Sequence, residues 1–197
     1  MKQKTNLYKL VLTALFAAIV VVLQVVSSFV KFGPFSITLT LIPIVVGGML
    51  LGVGHGALFG GLFGLMTFIF CLNGVDPGGA ILVGINPFLT CFLCLSKGIA
   101  AGIIPALVYR ALRKKNFYLG AILGTVLAPI ANTGIFLTEG FLFFKDTLIS
   151  WAGGADLFHV ITVLVGINFL VEFLTTVILS PAILRILQIP QKNRSLN

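Results

Sequence analysis

Lys97 stands in the stretch Phe88-Leu89-Thr90-Cys91-Phe92-Leu93-Cys94-Leu95-Ser96-Lys97-Gly98-Ile99-Ala100-Ala101-Gly102-Ile103-Ile104, which holds no other charged residue. An ammonium inside an apolar span costs a few kcal/mol or more unless it meets a partner or a ligand. Helical spacing identifies the polar residues that share faces. Asn86, Thr90, Cys94 and Lys97 follow steps of four, four and three. Asn132, Phe136 and Glu139 follow steps of four and three, and Asn168, Glu172 and Thr176 follow steps of four. Three such stripes on neighbouring helices predict one shared cavity that opens to the outside, with few polar groups among many apolar ones. A cation in low dielectric wants an anion. That anion is either the carboxylate of a small ligand or Glu172. Asn132 offers a donor and an acceptor to a ligand, or serves as glue between helices. Phe63, Phe68, Phe136 and Trp151 are candidates for apolar walls.

Other chemistry is weakly signalled. Gly52-Val53-Gly54-His55-Gly56 has the look of a phosphate loop but lacks a preceding strand and the lysine such a loop needs. No ATPase site is expected in this chain. Cys91 and Cys94 have redox-motif spacing, yet in mid-helix they read as apolar filler. His55 and His159 sit at helix ends without ligand spacing, so no metal site is expected. Ser96 and Lys97 are adjacent, and adjacent helical positions point about 100° apart, so they do not form a serine–lysine dyad.

The elements that must position these residues are membrane helices. The chain has 197 residues, 58% of them hydrophobic and 9% charged, with a mean hydropathy of +1.15. Long continuous apolar runs call for helices, because backbone groups in hydrocarbon must be satisfied internally. An all-α bundle in one domain is expected, with six transmembrane segments near 7–28, 37–52, 54–72, 84–109, 117–141 and 158–188. The second is short for a span. The basic start is that of a signal peptide, but the apolar run is too long and lacks a cleavage site, so it reads as the first helix. Lys2, Lys4, Lys9, Arg110, Arg113, Lys114, Lys115, Arg185, Lys192 and Arg194 are ten of the thirteen positive residues. They fall on one side if the chain crosses six times, with a basic cytoplasmic loop at 110–116. The positive-inside rule then places both termini in the cytoplasm. This placement assigns the net charge of +8 to membrane orientation and not to nucleic acid. The connections 29–36, 73–83 and 142–157 fall outside and are the usual place for binding and gating.

Two patterns of small residues bear on packing. Gly52, Gly56, Gly60 and Gly64 recur every four residues, which lets backbones approach closely. Ala14 and Ala18 make a flat patch near the cytoplasmic end of the first segment.

Six helices with both termini inside, the early Ala-x-x-x-Ala and no ATPase resemble the substrate-binding S component of an energy-coupling factor transporter. The stretch Ile37-Thr38-Leu39-Thr40-Leu41-Ile42-Pro43-Ile44-Val45-Val46-Gly47-Gly48, followed by glycines 52, 56 and 60, strengthens the likeness, which covers nearly the whole chain. Within that family the chain is most similar to the pantothenate-specific type. The resemblance implies a multi-pass subunit of the bacterial cell membrane that captures a vitamin from outside. Its partners would be a transmembrane coupling subunit, met by Ala14 and Ala18, and two cytoplasmic ATPases that use the ATP. No cofactor is expected in this chain. Lys97 and Asn132 map to the basic residue and the asparagine of the family's site. Many members carry arginine where this chain has Lys97, and lysine keeps the charge without the bidentate geometry. Asn86, Thr90, Phe136, Asn168, Glu172 and Phe68 complete the expected site. Riboflavin, pyridoxine and cobalamin-related ligands are alternatives, as is a stand-alone proton-coupled carrier using Lys97 and Glu172.

Overall fold

The computed structural model describes residues 2–29, 31–32, 35–36, 39–151 and 166–194, with side chains over 7–29, 39–151 and 169–188. The architecture is helical. The helices are α1 (Lys2–Phe29), α2 (Leu41–Leu51), α3 (Val53–Leu72), α4 (Pro77–Ile85), α5 (Pro87–Leu112), α6 (Phe117–Phe143), α7 (Lys145–Trp151) and α8 (Gly166–Arg194). A small antiparallel ribbon pairs β1 (Lys31–Phe32) with β2 (Phe35–Ser36), in the register Lys31 to Ser36 and Phe32 to Phe35.

Among the described residues, five helices are long and apolar enough to cross a membrane: Leu7–Phe29 of α1, α3, α5, α6 and Phe169–Gln188 of α8. The expected second span is shorter. α2 has 11 residues, which at 1.5 Å each reach about 16 Å, roughly half a bilayer core. Gly52 ends it at φ 110°, a conformation that favours glycine, and α3 starts at the next residue. Many large exposed side chains are apolar, among them Val11, Leu15 and Val22 on α1, Leu65 and Leu72 on α3, and Leu174 and Ile178 on α8. Such a surface suits lipid and not water.

Two connections expected as plain loops contain helices. α4 occupies most of 73–83 and continues to Ile85. Asp76 caps it, accepting a hydrogen bond from Gly79 N at 2.8 Å, and Pro77 takes the first turn. α7 lies within 142–157, and residues 152–157 of that connection, like the start of the expected sixth segment, lie outside the described residues.

α5 is the centre of the bundle and touches α2, α3, α4 and α6. Its contact with α3 is main chain on main chain. A Cβ built at Gly60 would meet the carbonyl of Gly98, and one at Gly98 would meet the carbonyl of Gly60. Gly56 and Gly102 oppose each other in the same way, and Gly64 faces Cys94 O. The stripe of three glycines on α3 is thus answered by two on α5. Gly52 does not belong to it, since nothing lies within 4 Å of its would-be Cβ. The cytoplasmic half of the predicted orientation is filled by Val45, Met49, Tyr109, Ala121, Ala128, Ile183 and Leu187. Val20, Ile44, Phe59 and Phe63 join α1, α2 and α3.

Candidate functional site

The α3–α5 contact fixes what lies above it. Pairing Gly60 with Gly98 and Gly64 with Cys94 means the two helices run antiparallel, so residues after Gly64 face residues before Cys94. Thr67 and Cys71 continue the glycine face of α3 at steps of three and four. They look across at Thr90, Leu93, Cys94 and Lys97 of α5. α4 closes one side with Asp76, Gly79 and Leu82, and Phe136 of α6 closes another. These ten residues line a cavity whose empty space is about 310 Å³, open solvent at its mouth included. Leu82, Leu93 and Phe144 pack with Phe136 and Trp151 beside it.

Lys97 is held by an aromatic face. Its Nζ lies 5.4 Å from the centroid of Phe136, within reach of the ring's negative face. No carboxylate among the described residues lies within the 4.0 Å of an ion pair with it. Its neighbour Ser96 points elsewhere and donates to Glu139 Oε2 at 2.7 Å on α6, as the difference in helical direction requires. Glu139 is therefore tied to α5.

Residues 8–184 match the family model described as the substrate-specific component of ECF transporters. The chain belongs to this family. The pantothenic acid transporter PanT of Lactococcus lactis subsp. cremoris is 31% identical to it over 192 residues, which span 92% of this chain and 94% of that protein.

In this substrate-specific component, the cavity gathers Thr90, Lys97 and Phe136 from the residues singled out in the sequence. Thr90 is fully buried, and its hydroxyl donates to Asn86 O at 2.9 Å. Asn86 itself does not line the cavity. Its Oδ1 accepts from Phe88 N and Leu89 N, both at 3.1 Å, because the chain breaks there and α5 begins with Asn86 as its cap. The reading of 84–109 as one continuous helix missed that break. Phe68 is half-buried on α3 and Phe63 belongs to the core beneath. Glu172 is buried on α8 and is not part of this wall, and no ion pair joins it to Lys97. The side chain of Asn168 lies outside the described residues. Asn132 sits one turn from Phe136 on the same face of α6 but does not line the cavity; it is 6% exposed, and its Oδ1 has no hydrogen-bond partner among the described residues.

Thr67, Cys71, Asp76 and Gly79 were not anticipated. The glycine face of α3, extended outward, would have found the first two. The dipeptide Asp76-Pro77, an N-cap followed by proline at N1, signals the α4 start that brings in the others.

The cavity wall is also wired to α1. Gln24 Nε2 donates to Thr67 Oγ1 at 3.2 Å, and Thr40 Oγ1 donates to Gln24 Oε1 at 2.8 Å, all three being buried. This ties α1, the residue before α2, and the cavity wall on α3. Gln24→Leu strands the Thr40 hydroxyl and removes one bond from Thr67, whose own hydroxyl still donates to Phe63 O at 2.9 Å; interhelical hydrogen bonds in membranes are each worth about 0.6–1.7 kcal/mol. The variant is expected to show a lower Tm in detergent, with the drop reversed by no change in salt because no charge is involved.

Proposed function

We propose that this protein captures pantothenate from outside the bacterial cell membrane and hands it to an ATP-driven importer. The observation that carries this reading is the Lys97 amine, which lines a cavity with an aromatic ring beside it and, among the described residues, no carboxylate partner in ion-pair reach. An ammonium so placed is compensated by an anionic guest. The name of the relative, a pantothenic acid transporter, supplies a ligand with one carboxylate, an amide and two hydroxyls. The carboxylate goes to Lys97. Asn132 lies one turn beyond Phe136, outside the cavity lining, and its unsatisfied Oδ1 is the acceptor assigned to the amide N–H of a ligand that reaches deeper than the cavity. A buried acceptor with no donor costs about 1–3 kcal/mol, which the ligand would offset.

ATP hydrolysis belongs to partner subunits. Ala14 and Ala18 lie exposed on α1, consistent with a helix of the coupling subunit packing there. The basic residues at 110–116 and near both termini support a cytoplasmic location for both ends. The 11-residue α2 then stands where this orientation needs a crossing between α1 and α3.

The test is direct binding. Purified protein in detergent is expected to bind pantothenate with one-to-one stoichiometry by calorimetry, and riboflavin and pyridoxine not at all. Saturable binding of either of those in place of pantothenate would reassign the ligand. Uptake into liposomes by this chain alone, driven by a proton gradient, would replace the reading with that of a carrier. Asn132→Leu separates function from fold. It removes the orphaned oxygen, so the ligand-free protein should be as stable as the parent or more so, while pantothenate affinity falls about tenfold, equivalent to ~1.4 kcal/mol. Thermal unfolding with and without ligand measures both.

A further inference from the structure

The cavity has a second charge. Asp76 N is bonded to Phe70 O at 3.3 Å, which keeps Asp76 level with the last turn of α3. Lys97 is adjacent to Gly98, which faces Gly60, so its main chain lies level with the middle of α3. The eleven steps from residue 61 to residue 72 correspond to about 16 Å of helix axis. Side chains on α5 lean toward its N-terminus, so the lysine reaches toward Asp76 and shortens that gap. Both charges line one cavity, Asp76 level with the last turn of α3 and the Lys97 main chain level with its middle, and no ion pair joins them. Between them the wall is Thr67, Cys71, Thr90 and Cys94 on two sides, with Leu82, Leu93 and Phe136 as apolar surface.

Resting on the pantothenate reading, we propose that Asp76 is the specificity residue for the hydroxyl end of the ligand and fixes its orientation, carboxylate inward and hydroxyls toward the mouth. One carboxylate oxygen, Oδ1, already accepts the Gly79 N–H at 2.8 Å. The other oxygen accepts a ligand hydroxyl, a charge-assisted bond about twice as strong as a neutral one. The same carboxylate repels any ligand whose outer end is anionic. The accepted class is thus a monoanion with a neutral polyol end.

Asp76→Asn tests this without disturbing α4, because asparagine caps helices as well as aspartate does. Asp76→Ser keeps a cap and removes the second acceptor. The ligands are pantothenate, its dideoxy analogue N-(3,3-dimethylbutanoyl)-β-alanine, and pantothenate phosphorylated on its terminal hydroxyl. Asp76→Asn is expected to weaken pantothenate at least about fivefold and Asp76→Ser further. Both should leave the dideoxy analogue within about twofold and admit the phosphorylated ligand better than the parent does. Equal losses for pantothenate and the dideoxy analogue, or no loss for either, overturn the role of Asp76 while leaving pantothenate as the ligand. A parent protein that binds no pantothenate overturns the reading beneath it, and this proposal with it.

Discussion

Lys97→Ala is expected to weaken pantothenate binding by about 2–5 kcal/mol, roughly 30- to 4,000-fold in Kd, the range for removing one member of a buried charge pair. The cause is specific. The ligand carboxylate would enter a cavity whose other charged lining residue is Asp76, so without the ammonium it meets repulsion and no compensation. Lys97→Met fills the same space against Phe136 and removes the cost of an ammonium among apolar helices. It should lose binding to the same extent and keep or raise the Tm of the ligand-free protein. Lys97→Arg keeps the charge and should retain most of the affinity, with the difference reporting how well a planar fork fits where a point charge sits. Calorimetry on the three variants checks this. A methionine variant that binds within about threefold of the parent would remove Lys97 from the site.

The largest effect on the fold is expected at the α3–α5 crossing. In Gly60→Val or Gly98→Val the new side chain meets a main-chain carbonyl of the opposing helix. A carbonyl held in a helix cannot turn aside as a flexible side chain can. The cost should reach or exceed the ~3 kcal/mol at the upper end of ordinary overpacking. Both variants should lose the monodisperse folded form in detergent, and ligand binding with it, because the same contact sets Lys97 against the cavity. Gly61→Ala is the control one residue away. Its Cβ would have Ile99 Cγ1 as nearest neighbour at 3.8 Å, an ordinary contact, and alanine favours helix by up to about 1 kcal/mol over glycine. That variant should be as stable as the parent. If Gly61→Ala and Gly60→Val unfold at the same temperature, the main-chain contact is not what holds the two helices.

Much of the site was legible where one residue type is costly in its setting. A lysine in seventeen otherwise uncharged residues announces itself, and Thr90 and Phe136 follow from helical steps on α5 and α6. The outer rim was not legible in the same way. Pro77-Gly78-Gly79 reads as a loop by composition and masks the helix-start signal of Asp76-Pro77, which the bond from Gly79 N to Asp76 Oδ1 completes. That helix ends before Asn86, which turns Asn86 from a cavity residue into a cap. α2 begins at Leu41 and not near residue 37, while its end at Gly52 falls at the expected boundary. At the outer rim a single local bond decided where an apolar pattern that looked the same on both sides was broken.

By itself the sequence determined a multi-pass helical membrane protein, its family and one cation that apolar surroundings cannot leave uncompensated. The membrane helices and the cation follow from composition and period, which are local properties of the chain, and the family follows from resemblance over nearly its whole length. Only the tertiary structure decided which polar residues meet. Periodicity says that Thr67 and Cys71 share a face with Gly64, but not which helix that face turns toward. That choice is made by glycine backbones on α3 and α5, residues about forty apart in the chain, whose missing side chains let the two helices touch at one rotation and register.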